Sequence, residues 1–197
     1  MTCAHRRAPF YGRKYSHAEI VERQKNLSHQ RRVPINVVLN DVRSSHNVGS
    51  IFRTADGAGI EKIWLCGITG YPPNAQLAKT ALGAEKKVPW EYVKDARDAL
   101  RRLRALGYQI VLLEQMEESR PYQDFAPQFP LCIILGHEVE GISQEIINLC
   151  DAAIEIEMAG LKNSLNVAVA FGVVAYHFRQ QFKSVNPPMG IAEKGTI

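Results

Sequence analysis

The chain has 197 residues, 46% hydrophobic and 22% charged, with a formal net charge of +4. At this length roughly 70% of the unfolded surface is buried on folding, so a single domain with short extensions stands without disulfide or metal staples. The N-terminal MTCAHRRAPFYGRKYSHAE lacks the apolar core of a signal peptide, and the most apolar stretch, Leu165 to Phe178, is too short for a bilayer and contains Asn166 and His177. The expectation is a cytoplasmic protein.

Charge is unevenly spread. Residues 1–32 hold eight Lys or Arg (Arg6, Arg7, Arg13, Lys14, Arg23, Lys25, Arg31 and Arg32) against Glu19 and Glu22, a net of +6; the remaining 16 basic and 18 acidic residues leave the rest at −2. Interleaved with Phe10, Tyr11 and Tyr15, this arm suits a polyanion, cations neutralising phosphates and rings stacking on unpaired bases. The plainer alternative is a solvated tail. Cys3, Cys66, Cys132 and Cys150 form no CxxC pair and read as buried free thiols in a reducing compartment.

The predicted elements follow in order. INVVLNDV (35–42) is a buried strand, followed by a helix from Asn47 that turns Val48, Ile51, Phe52 and Ala55 inward and leaves Arg53 outside. KIWLCGI (62–68) is the next strand, and AQLAKTAL a short helix ending at Gly83. DARDALRRLRALG (95–107) is an amphipathic helix with Ala96, Leu100, Leu103 and Leu106 inward. YQIVLLEQ is a strand, ESRPYQDFAPQFP a loop and LCIILG (131–136) a strand. SQEIINLC is a helix capped by Ser143, AAIEIEM a strand, SLNVAVAFGVVAYHFRQQF (164–182) a long helix, and NPPMGIAEKGTI a disordered tail.

Alternating strands and helices indicate an α/β fold, a mostly parallel sheet with helices on both faces. Ligands of such sheets bind beyond the carboxyl ends of the strands, here the loops after Val42, Ile68, Gln115, Gly136 and Met158. LGHEVEGIS has the glycine spacing of a phosphate loop, but Ile142 and Ser143 stand where Lys and Ser/Thr belong. No G-x-G-x-x-G opens a helix after the first strand, no G-x-S-x-G is present, and no histidine has metal-ligand spacing. These absences disfavour dinucleotide, hydrolase and metalloenzyme chemistry.

Three segments carry the remaining signal. In NVGSIFRTADGAG, Asn47 can cap the helix, and Arg53 can be an ordinary solvated arginine. Gly49 and Gly57, each costing roughly 0.5–1 kcal/mol relative to alanine in a helix interior, would then clear space for a phosphate or ribose beside the guanidinium. ILGHEVEGIS places Glu138 and Glu140 past a strand, which an ordinary strand-to-helix turn would also explain. In IEIEMAGLKNSLNVAVAFG, Ser164 is the natural cap of the last helix, and Ala168, Ala170 and Gly172 admit another helix from the same chain or a dimer partner.

Together NVGSIFRTADGAGI, ILGHEVEGIS and IEMAGLKNSLNVAVA resemble, in order, the three motifs of the SpoU (TrmH-like) branch of the SPOUT RNA methyltransferases, over about residues 35 to 180. The resemblance implies methyl transfer from S-adenosylmethionine to a ribose 2′-hydroxyl of tRNA or rRNA, a C-terminal deep trefoil knot, a homodimer and no metal. It implies Asn47, Arg53, Glu138, Ser164 and Asn166 at the catalytic centre, and Leu135, Gly136, Ile156, Met158, Ser164 and Leu165 around the cofactor. A guanidinium has five donors and no acceptor, so Arg53 reads as a holder of the target phosphate and of developing alkoxide charge rather than a base.

Two positions depart from the family pattern: Glu157 stands where proline is usual, predicting a softer cofactor loop, and His137 where asparagine, alanine or serine is commoner. The expected organisation is a basic RNA-contacting extension (1–34), a catalytic domain (35–182) and a flexible tail (183–197). Rival readings are an RNA-binding or ribosome-assembly factor that lost catalysis, and a methyltransferase of small molecules or proteins, which leaves the basic arm unexplained.

Overall fold

Alternate side chains of the first strand face two different apolar layers, and that alternation sets the architecture of the computed structural model, which describes residues 12–28, 32–137 and 141–186. In β1 (Val33–Asn40), Val33, Ile35, Val37 and Leu39 enter one core and Val38 the other. The remaining strands are β2 (Ile60–Cys66), β3 (Trp90–Val93), β4 (Gln109–Leu113), β5 (Arg120–Pro121), β6 (Leu131–Leu135) and β7 (Ala152–Glu155). They form one seven-stranded sheet in the order β3-β2-β1-β6-β4-β7-β5, every pair parallel.

Helices cover both faces, as parallel strands buried on two sides require. The larger core receives α2 (Ser45–Ala58), α3 (Ala75–Ala81) and α6 (Val167–Val185); the smaller receives α4 (Ala96–Ala105) and α5 (Gln144–Ile147). Asn36 is the polar exception inside β1, 3% exposed. It is fully partnered: its Nδ2 donates to Glu61 (2.9 Å) and Tyr108 (3.0 Å), and its Oδ1 accepts from Trp64 Nε1 (2.7 Å). Burial and then the neighbouring Glu61 push the Tyr108 phenol above its ordinary value.

The chain divides into two units between Arg31 and Arg32. In the first, α1 (His17–Ser28) starts with a reciprocal capping box: Glu19 accepts from Ser16 N (2.7 Å), and Ser16 Oγ accepts from Glu19 N (3.3 Å). Arg13 pairs with Glu19 at 2.5 Å and, with Ser16, holds that carboxyl at about 2. The helix ends before Arg31, and Arg6, Arg7 and Arg31 lie outside the described residues, as do Cys3 and the tail from 187.

Several sequence expectations shift. β1 ends two residues early because Asp41 takes a left-handed conformation (φ 59°) and its carboxylate accepts from Ile68 N at 3.0 Å. β2 likewise stops at Cys66, where Gly67 turns the chain at φ 63°. The short strands β3 and β5 have too few residues for a period to be legible. Leu106, expected inward, is the C-terminal cap of α4 and 69% exposed, Ala99 taking the inward place. Cys66 and Cys132 are buried and Cys150 half-buried; burial pushes Cys66 up to about 12 and Cys150 to about 11, which keeps both protonated at neutral pH.

One of the two helix glycines beside Arg53 has a different purpose from the one expected. Gly49 is buried under α3: a Cβ there would lie 2.1 Å from Thr80 Oγ1 and 2.3 Å from the Leu77 carbonyl. Gly57 faces α6, where its Cβ would meet only the Tyr176 hydroxyl at 2.7 Å. Gly49 therefore seats a neighbouring helix rather than a ligand, while Gly57 is exposed and meets the end of one flexible side chain. Gly49→Ala is expected to lose about 1–3 kcal/mol in urea unfolding, because backbone must move. Gly57→Ala should change stability by less than about 1 kcal/mol, its helix-propensity gain offsetting displacement of a single side chain.

Candidate active site

The carboxyl ends of β4, β6 and β7 and the chain leading into α6 enclose a cavity of about 570 Å³. Parallel strands make this placement natural, since each of those ends turns into a loop on the same edge of the sheet. Leu135, Gly136, Ile156, Met158, Ser164 and Leu165, the six expected cofactor residues, all line it, with Asn166 beside them. Its apolar walls also include Leu113, Val167 and Ala170, and its polar groups Glu114, Gln115, Glu155 and Asn163.

Those additional lining residues were missed one by one. Glu114 and Glu155 nevertheless carried a signal: each is a carboxylate at the carboxyl end of an otherwise apolar strand. Glu155 accepts from Ser119 Oγ at 2.6 Å, which fixes its orientation at the cavity edge. Gly136 is confined between loops: a Cβ there would come within 2.6 Å of the Ile142 side chain and 2.9 Å of the Gly141 carbonyl. Glu157 points away into solvent between the lining residues Ile156 and Met158, so the alternation of an extended chain accommodates a charge there.

Asn166, rather than Ser164, caps α6. Its Oδ1 accepts from Ala168 N (3.0 Å) and Val169 N (3.4 Å), while its Nδ2 donates to Asn47 Oδ1 at 3.0 Å. Ser44, rather than Asn47, caps α2, its hydroxyl accepting from Asn47 N at 3.3 Å. The Asn47 amide is thereby left to meet α6. Farther along, a Cβ placed on Gly172 would lie 3.8 Å from the Thr54 methyl, in ordinary contact. The small residues of α6 thus admit α2 of the same chain.

Arg53 lies outside the cavity, on the exposed face of α2, six residues beyond Asn47, or about 9 Å along the axis. Ser143 stands at the start of α5 without a capping side-chain bond. Glu138 lies outside the described residues. A second cleft, of about 580 Å³, adjoins the first across His137 and Gly141 and reaches the loops after β1 and β2. All five loops expected to carry ligand chemistry therefore converge on this edge. Among the described residues no group of three or more His, Cys, Asp or Glu is placed to hold a metal ion.

Because one amide both caps α6 and bridges to α2, Asn166→Ala is expected to cost about 0.5–2 kcal/mol in thermal or urea unfolding. Ser164→Ala should leave the melting temperature unchanged; a loss from Ser164→Ala with none from Asn166→Ala would place the cap on Ser164.

Residues 34–176 match the SpoU rRNA Methylase family. The chain is 31% identical over 158 residues to the tRNA (guanosine(18)-2'-O)-methyltransferase of Escherichia coli, covering 77% of this chain and 66% of that protein. The crystal structure of the A. aeolicus TrmH/SpoU tRNA modifying enzyme superposes with a TM-score of 0.74 at 27% identity, over 86% of this chain and 85% of that one. The AdoMet-bound rRNA methyltransferase from Sinorhizobium meliloti gives a TM-score of 0.70 at 31% identity, over 74% and 56%. The chain spans from 56% to 81% of the length of such curated relatives. With the family match extending over the sheet, α2, α3 and the first half of α6, the chain belongs to the SpoU rRNA Methylase family.

Proposed function

We propose that the protein is a homodimeric, cytoplasmic RNA (ribose-2′-O)-methyltransferase that uses S-adenosylmethionine and acts on tRNA or rRNA, with its C-terminal part tied in the family's trefoil knot. The observation that carries this reading is the convergence of two motifs: the cavity gathers the whole expected cofactor set, and the 3.0 Å Asn166–Asn47 bond joins it to the helix of Arg53. Names of relatives as tRNA and rRNA methyltransferases, one AdoMet-bound, support the substrate and cofactor.

The residues fit such a cofactor. Gly136 meets the cavity with backbone alone, its Cβ position being taken by the Ile142 side chain and the Gly141 carbonyl, the Leu135, Ile156 and Leu165 walls suit a flat heteroaromatic ring, and the carboxylates of Glu114 and Glu155 suit a cation. When bound, S-adenosylmethionine supplies a methyl group made electrophilic by its sulfonium, a chemistry that asks for no metal. The protein's part is alignment and charge: Asn47 and Asn166 fix the approach to the cavity mouth, and Arg53 holds the target phosphate and the developing alkoxide. The 2′-proton leaves to water or a phosphate oxygen, since the guanidinium has no acceptor.

The homodimer is supported by apolar surface on α6, where Val169 and Tyr176 are 53% and 49% exposed. The RNA-contacting set is narrower than the basic residues of the extension. Arg32 donates to the carbonyls of Ile60 (3.0 Å) and Lys87 (2.9 Å), so it anchors the fold. Arg13, Lys14, Arg23 and Lys25 are exposed on the first unit, Arg23 lying over the Tyr15 ring at 4.6 Å.

Calorimetry is expected to detect S-adenosylmethionine binding by the full chain, with Arg53→Lys keeping that affinity while losing at least about tenfold in turnover on unmodified tRNA or rRNA, about 1.4 kcal/mol of barrier. Near-normal turnover would remove the fork-geometry role of Arg53; absence of cofactor binding would favour the non-catalytic RNA-binding reading. Deleting residues 1–31 should weaken RNA binding and flatten its logarithmic salt slope by about 0.7–0.9 per lost phosphate contact, with cofactor affinity unchanged.

A further inference from the structure

The rim of the sheet carries a surface that the methyl transfer leaves unused. The second cleft runs from the His137–Gly141 wall to Arg43 and Ile68, and Ile68 is 65% exposed. Three residues on, the loop after β2 sets Tyr71 against Tyr92 of β3, ring centroids 4.6 Å apart and planes tilted by 37°. Trp90 lies behind Tyr71 at 6.3 Å. Tyr71 and Tyr92 remain 46% and 38% exposed.

This pair is held in place from several directions. Tyr92 donates its hydroxyl to the Gly67 carbonyl at 3.1 Å. Thr69 Oγ1 donates to Leu39 O (3.1 Å) and accepts from Val42 N (3.0 Å), tying the loop to the end of β1. Asn74 caps α3 and donates to Ser45 Oγ at 3.3 Å, tying the same loop to the start of α2. Rings fixed in advance lose little side-chain entropy when something stacks on them.

The electrostatics favour an anionic partner. Nearby acids are engaged: Asp41 by Ile68 N, Asp95 by Arg97, and Glu91 by Lys62 and Arg102. Arg43 and Lys94 stand exposed on the same rim. Exposed aromatic faces with flanking cations, at the β3 end of the sheet whose β6, β4 and β7 carry the cavity, match the chemistry of unpaired nucleic acid.

We propose that Tyr71 and Tyr92 form a stacking platform for an unpaired base of the RNA substrate, flanking the nucleotide presented to the cavity. The proposal rests on the RNA methyltransferase reading and narrows its substrate to a single-stranded loop or end, since bases in a duplex are already stacked on each other.

The test uses the full chain and fluorescence anisotropy with a short unstructured RNA oligonucleotide and an RNA duplex of equal length, alongside calorimetry with S-adenosylmethionine. Tyr71→Ala and Tyr71→Leu, the latter keeping apolar cover over Trp90, are expected to weaken single-strand binding roughly 5- to 100-fold. Tyr71→Phe should bind as wild type, and duplex and cofactor affinities should not move. Single-strand binding by Tyr71→Leu equal to wild type would overturn the platform while leaving the cavity's role intact. A wild-type chain that binds the cofactor but neither RNA would overturn the platform and the RNA substrate together. A selective loss in Tyr71→Leu, from a wild type that fails to bind cofactor, would sustain the platform and overturn the methyltransferase reading.

Discussion

Seven strands running the same way leave all of their carboxyl ends, and the loops that follow them, on one edge of the sheet. Side chains there escape the two-sided burial that makes the strand interiors apolar, so polar chemistry has nowhere else to gather. The sheet order adds a second condition. Because β6 lies between β1 and β4, Gly136, His137 and the segment 156–166 are brought to the same edge of the sheet as the start of α2. Segments more than 100 residues apart in sequence meet there, Asn47 and Asn166 being separated by 119.

That meeting depends on how one amide is divided. Capping α6 takes the Asn166 oxygen, which leaves its NH₂ as the only group available to α2; Asn47 is oriented to present its own oxygen because Ser44 has already taken the capping of α2. Below this contact the two helices continue in company, Thr54 against Gly172 and Gly57 against the Tyr176 hydroxyl. Gly49 performs the same service for α3, whose Thr80 donates to the His46 carbonyl at 3.0 Å. Arg53 is exposed because three neighbours of α2 occupy its other sides: the sheet, α3 and α6.

The polar group set deepest in the sheet is closed on its neighbours. Asn36 sits in the sheet with both N–H donors and its carbonyl oxygen engaged by Glu61, Tyr108 and Trp64, and Lys62 lies over the Trp64 ring at 3.9 Å while pairing with Glu91. The rim of the sheet is the opposite case, with aromatic rings and cations left open to solvent. The buried network is consistent with a structural role, and the open rim with recognition.

Much of this was legible from residue order alone. Strand interiors are apolar because they are buried on both faces, and the amphipathic period of α4 and the break at Gly107 are local properties of the chain. Motif order also placed Leu135, Gly136, Ile156, Met158 and Leu165 at one site. What depended on the tertiary structure were choices between chemically equivalent local options. Ser164 and Asn166 are both good caps, as are Ser44 and Asn47, and only the contact between α2 and α6 decides which side chain is used for capping and which for bridging. Gly49 reads as space for a ligand until α3 is seen filling it, and Arg32 reads as an RNA contact until its carbonyl partners appear. Tyr71 and Tyr92, 21 positions apart in sequence, become one surface only when β3 pairs with β2. Sequence carries the propensity of each residue; which of its possible partners it meets is set by packing at distances that no local pattern records.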